Sequence, residues 1–78
     1  VPWVRVDTSF IRHPKRMALT LRQRDIHLAS MCWAGEQYTG GRIPEPALPA
    51  IGATRADVAR FVAVGLWEEH PEGGWAIH

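Results

Sequence analysis

The stretch Thr54 to Gly65, TRADVARFVAVG, limits this chain's options most, because it carries a helix start, a one-sided apolar stripe and a helix stop in one short run. Thr54 and Asp57 stand three apart as a near capping box: the Thr side chain takes a free backbone N–H of the first turn, and Asp57 adds negative charge near the positive helix end. Gly65 supplies a left-handed stop. Val58, Phe61 and Val62 fall at helical spacing on one side, with Ala56, Ala59, Arg60 and Ala63 opposite them. We therefore expect one face to pack and the other to present small side chains with an arginine.

The flanks of this helix give it a context. Upstream, GGRIPEPALPAIGA reads as a very short strand at Arg42 and Ile43, a stubby helix from Pro46 to Ile51 and a turn over Gly52. Two helices joined by a short Gly-containing turn make a helix-turn-helix, whose second helix is free to lie in a DNA groove. Downstream, LWEEHPEGGWAIH reads as strand, turn, strand, with His70 to Gly74 as the turn. A hairpin directly after the second helix is a wing. Pro44, Pro46 and Pro49 crowd the helix before the turn and blur its boundaries.

The rest of the chain fills in ahead of this unit. Val1 to Val6 is β-branched and weakly alternating, which predicts an extended arm with Trp3, or the pair Val4 and Val6, tucked onto the domain; Pro2 puts any strand there at a sheet edge. Asp7-Thr8-Ser9 is a cap or turn signal, Phe10 and Ile11 anchor the arm, and His13 before Pro14 starts a short helix to Leu19. From Arg22 to Tyr38 the pattern is one long helix whose centre, Leu28 to Gly35, is apolar around nearly its whole circumference, so we expect a buried spine, ended by Thr39-Gly40-Gly41. There is no internal repeat and no low-complexity segment. The expected fold is α+β, mostly helical: a single winged helix-turn-helix domain with an extended N-terminal arm over 1–13, a helical body over 14–64 with the helix-turn-helix at 45–64, and a C-terminal β-hairpin wing over 66–78.

Seventy-eight residues make one domain, and at this size only about 60% of the unfolded chain's surface is buried on folding. Four Trp, two Phe and one Tyr compensate for that thin core. Trp67 and Trp75 are accordingly expected inside it rather than exposed for base stacking. No run approaches a membrane span and no charged leader precedes a cleavage site, which reads as a soluble cytoplasmic domain. The start at Val1 without a methionine and the stop at a strand residue lead us to expect a domain cut from a longer protein. Cys32, the single cysteine, sits among Met31, Trp33 and Ala34, where a buried inert thiol is expected. So short a chain leaves little room for an enzyme active site. His13, His27, His70 and His78 lack the paired spacing of a zinc site, so neither metal nor cofactor is expected.

Net charge is only +1, but it is unevenly spread: residues 1–24 hold six Arg and Lys against one Asp, +5, and residues 25–78 hold three Arg against seven Asp and Glu, −4. Any basic surface gathers at the amino end.

The opening WVRVDTSFIRHPK, the helix and turn LASMCWAGEQYTGGRIP and the ending VGLWEEHPEGGWAIH resemble the amino-terminal winged-helix domains of actinobacterial phage and prophage DNA-binding proteins of the replisome-organiser or replication-initiator kind. The most specific parts are Trp3 with Phe10 and Pro14-Lys15, then Gly41 to Pro44, then Gly65 to Glu68 with Gly74-Trp75; none is a catalytic signature. The resemblance implies binding to double-stranded DNA at a phage origin or operator. Thr54, Arg55 and Arg60 would then face the groove, arginine being the side chain best shaped to read guanine, and the alanine methyls at 56, 59 and 63 would permit close approach. Arg12, Lys15, Arg16, Arg22 and Arg24, with Arg42, would contact phosphate. The plain alternative is that these arginines are only solvated. Glu68, Glu69 and Glu72 would repel phosphate, so the wing is expected to brace the fold or meet a protein. A homodimer on paired half-sites, or a replication or transcription protein as partner, is consistent with so small a module. The competing reading is a winged-helix protein-interaction or oligomerisation module without direct DNA contact.

Overall fold

Thr54 and Asp57 close a full capping box. The Thr54 hydroxyl accepts the Asp57 N–H at 3.3 Å and the Asp57 carboxylate accepts the Thr54 N–H at 2.9 Å, which starts helix α4 (Arg55–Ala63). At its far end Gly65 has φ +83°. The Leu66 N–H donates to the Phe61 carbonyl at 2.9 Å and the Gly65 N–H to that of Val62 at 3.1 Å, the two bonds of a Schellman stop. Val58 and Phe61 are buried. Val62, expected beside them, is 38% exposed, because one residue step turns it about 100° from Phe61 and over the edge of the packed face.

The computed structural model describes residues 3–77. Pro2, with its expected edge-strand role, lies outside the described residues, as do Val1 and His78. Around α4 the chain runs as a 3₁₀ turn (Thr8–Arg12), α1 (Pro14–Met17), α2 (Leu21–Gln37), β1 (Arg42–Ile43), a second 3₁₀ turn (Glu45–Ala47), α3 (Leu48–Ile51), then α4, β2 (Trp67–Glu69) and β3 (Trp75–Ile77). This is a mostly helical α+β fold with one antiparallel sheet in the order β1-β3-β2. Ile43 pairs with Trp75, and Glu68 with Ala76. Because β1 leaves the chain between α2 and α3 and pairs with the last strand, it ties the hairpin back onto the helices. Among the described residues no helix is long and apolar enough to cross a membrane.

The core is organised on a file of rings. Phe10 stands 5.6 Å from His27, His27 6.0 Å from Phe61, Phe61 4.8 Å from Trp67, and Trp67 6.2 Å from Trp75. These separations suit tilted aromatic contacts. Trp67 and Phe61 are almost fully enclosed, and Trp75 half so.

Several boundaries and faces differ from expectation, each for a physical reason. Pro49 has no N–H to bond the Glu45 carbonyl and fits only a first helical turn, so the stretch expected as one helix from Pro46 splits into a 3₁₀ turn and α3, with Pro49 in the first turn of α3. Helix α1 stops at Met17, short of Leu19. The arm is extended only to Asp7, whose carboxylate accepts the Ser9 N–H at 2.8 Å and winds the next residues into a turn. Val4 is the arm residue that seats, against Gly35, where a β-carbon would come within 2.7 Å of it. Trp3 is 90% exposed and Ile11 is also outside, leaving Phe10 as the anchor.

Helix α2 is a spine on one side only. Thr20 and Gln23 cap its start as a second capping box, and Ile26, His27, Ser30 and Ala34 are buried. Leu21, Asp25, Leu28, Cys32 and Glu36 recur at helical spacing on the opposite face and are exposed, so Cys32 is not the buried thiol its neighbours suggested. The packing elements, α3 and the sheet, reach one side of a long helix in so small a domain, and apolar character alone does not create a second cover. The helix ends at Tyr38, a left-handed residue with φ 54°, rather than at the glycines that follow. A side chain there costs about 1–2 kcal/mol of backbone strain.

Candidate nucleic-acid interface

The outward face of α4 carries Ala56, Ala59 and Ala63 down its middle, with Arg60 on one flank and Arg55 and Val62 on the other, all exposed. Among the described residues no other element covers this strip. One edge of it is lined by the basic front of the chain, running in the opposite direction. Arg22 meets the helix start through Asp57, Arg60 at mid-helix donates to the Ala18 carbonyl at 2.9 Å, and Lys15 donates to the Gly65 carbonyl at 3.1 Å beyond the helix end. The segment Lys15 to Arg22 thus lies alongside α4 for its full length.

Most of these cations grip backbone carbonyls. Arg16 donates to Ile11 at 2.8 Å, closing the first 3₁₀ turn, and Arg24 donates to Arg16 and Met17 at 3.3 and 3.5 Å, closing α1. Arg22 reaches the Gly52 carbonyl at 3.2 Å, at the end of α3. Arg42 donates to Gly73 and Glu72 at 3.1 Å each, and so clamps the β2–β3 turn. The last carbonyls of a helix lack partners and carry partial negative charge. A fold with several helices of only three to five residues has many such ends, and the basic side chains close a number of them. A carbonyl partner is neutral, so these residues keep their net charge, and a guanidinium with five donors has others to offer.

The nine expected site residues therefore fall into five groups. Arg12, Arg60 and Thr54 are exposed; Lys15 and Arg22 are tied to the two ends of α4, whereas Arg16 and Arg24 close the first 3₁₀ turn and α1 on the side that faces the arm. Arg55 is exposed but forms an ion pair with Glu45. Arg42 sits apart, on β1 at the hairpin turn. Sequence reading missed the Arg22–Asp57 and Arg55–Glu45 pairs, since residues 35 and 10 apart have no periodic signal. Glu68, Glu69 and Glu72 are exposed on the hairpin. His13 and His70 each precede Pro and act alike: Nδ1 accepts the N–H two residues on, at 3.1 Å in both.

Asp57 is the electrostatic pivot at the start of α4. Its carboxylate is buried and accepts two bonds from Arg22, at 2.8 and 2.9 Å, besides those from Thr54. Burial alone would raise its pKa, but the hydrogen bonds from Arg22, Thr54 and Gln23 outweigh that and hold it at about 2. A carboxyl depressed on folding stabilises the fold above its unfolded value near 3.8; that contribution, about 2 kcal/mol, is lost as pH falls through 2. Urea midpoints measured between pH 5 and 2 are expected to fall in the protein and to stay flatter in Asp57→Asn, which already lacks the charge. Equal slopes in the two proteins would refute this assignment.

Among the described residues no group of three or more His, Cys, Asp or Glu could hold a metal ion. No family model, no curated protein and no solved structure matches this chain.

Proposed function

We propose that this chain is a winged helix-turn-helix domain that binds double-stranded DNA, with α4 in the major groove and the Lys15–Arg24 segment on the flanking phosphates. The observation that carries this reading is the bare alanine strip of α4 edged along its length by basic side chains. The strand between α2 and α3 and the sheet order β1-β3-β2 suit a winged helix. A strip of small residues lets a helix backbone sink into a groove and meet thymine methyls, while Arg55 and Arg60 flank it within reach of base edges or phosphate. By its resemblance to phage replisome-organiser domains, the site would be an origin or operator, acting in replication initiation or transcription control.

The exposed Glu68, Glu69 and Glu72 and the near-zero net charge favour a second reading, a winged-helix module that docks on a protein or on itself. Titration with an arbitrary duplex at increasing salt separates the two. Three to five phosphate contacts give a log–log slope of about −3 to −4.5. Binding at low salt with that slope supports the DNA reading; no binding at low salt removes it and leaves the protein partner.

A further inference from the structure

His27 is 4% exposed, and its Nε2 is buried without a hydrogen-bond partner. The ring lies between Phe61, in the core, and Phe10, on the N-terminal arm. Beside it a partly open hollow of about 170 Å³ is lined by Arg5, Val6, Asp7 and Phe10 of the arm with Met31, Leu66 and Ile77 of the body. The arm is therefore one wall of the chamber that holds an unpartnered imidazole.

The two walls differ in strength. Phe61 is fully enclosed by the core, whereas Phe10 is half-buried on a segment whose other apolar contacts, Val4, Val6 and Ile11, are 40–60% exposed. An imidazolium must find water or a counter-charge. Among the described residues the charged groups lining this hollow are Arg5 and Asp7 on the arm, and the neighbouring hollow on which His27 and Phe10 also border adds Arg16 on α1 with Arg24 and Asp25 on α2, together an excess of positive charge. Asp7 is already bonded to the Ser9 N–H and hydroxyl. Among the described residues, the elements carrying Phe61, Leu66 and Ile77 present only apolar side chains to the hollow. Lifting the arm is the least disruptive way to hydrate a charged His27.

We propose that His27 is an acid-operated catch for the N-terminal arm: when the ring takes up a proton, the segment from Trp3 to Arg12 swings off α2 about His13, while α2, α4 and the sheet stay folded. Burial lowers the proton affinity of His27. The arm is thus held at neutral pH, and its hold weakens as pH falls below the ordinary imidazole value of about 6.5, by up to tenfold per pH unit for one proton.

The test is backbone and side-chain NMR across pH 7.5 to 5. Expected are a loss of the Val4–Gly35 contact and increased motion of residues 4–12, with a midpoint below 6.5 shared with the His27 ring, while amides of α4 and β2 hold. His27→Phe, or His27→Gln if the first does not fold, abolishes the transition, and His13→Asn retains it. An arm indifferent to pH, a transition that survives loss of His27, or one-step unfolding of the whole domain would each overturn the proposal.

Discussion

Replacing Gly74 with alanine is expected to lower the melting temperature by about 12 °C or more, the largest effect of any single methyl group in this protein. Gly74 has φ +70°, where a side chain costs about 1–2 kcal/mol. That is the smaller part. An added β-carbon would overlap the Ile43 carbonyl oxygen and come within 2.8 Å of the Pro44 Cα, and both are backbone atoms held by the β1–β3 pairing of Ile43 with Trp75. To make room, β1 must leave β3, uncovering Ile43 and Trp67 at the centre of the core. A total cost of about 3 kcal/mol or more follows from strain plus that displacement. At about 4–8 °C per kcal/mol for a domain of this size the shift is about 12 °C or larger. The control is Gly73→Ala. Gly73 also has positive φ, +94°, but the nearest atom to an added β-carbon is the Arg42 guanidinium at 4.0 Å, an ordinary contact distance, so it should cost the strain alone. Thermal melts giving equal losses for the two variants would show that the close approach of Gly74 to β1 does not matter.

The contrast between these glycines bears on what the amino-acid sequence could disclose. His70 to Gly74 reads as a turn from composition, and the hairpin is there, but nothing in the string separates a glycine needed for its φ from one needed for contact with a residue 30 positions away. Local signals are legible in the same way throughout. The Thr54–Asp57 box, the Gly65 stop and the His13-Pro14 start all depend on neighbours within a few residues. Burial is less legible. Leu28 and Cys32 look like core in an apolar run, and only the positions of α3, the sheet and the arm decide which side of α2 stays uncovered. The basic residues were the hardest to read. Their clustering toward the amino end is plain in the order of residues, whereas their use as caps on the carbonyls of short helices depends on which ends come together in space.

That double use decides which substitution best tests the proposed interface. Truncating Arg60, Arg22 or Lys15 removes a positive charge and also frees a carbonyl, so weaker DNA binding would mix lost contacts with a loosened fold. Ala59 has no such second role. It is exposed at the centre of the strip, inside α4, and makes no side-chain hydrogen bond. Glutamate is a good helix former, so Ala59→Glu should leave stability within about 0.5 kcal/mol of the parent. On the DNA reading it places a carboxylate between the two phosphate rows of the groove. Like charges brought together in an interface cost several kcal/mol, so duplex affinity is expected to fall by about a hundredfold or more at low salt. Ala59→Gln, of the same length but uncharged, should lose much less, which separates repulsion from bulk. Glu69→Gln on the hairpin should leave affinity nearly unchanged if the wing stands clear of the backbone. A folded Ala59→Glu protein that binds duplex as well as its parent would take α4 out of the groove, even if the basic segment still held phosphate.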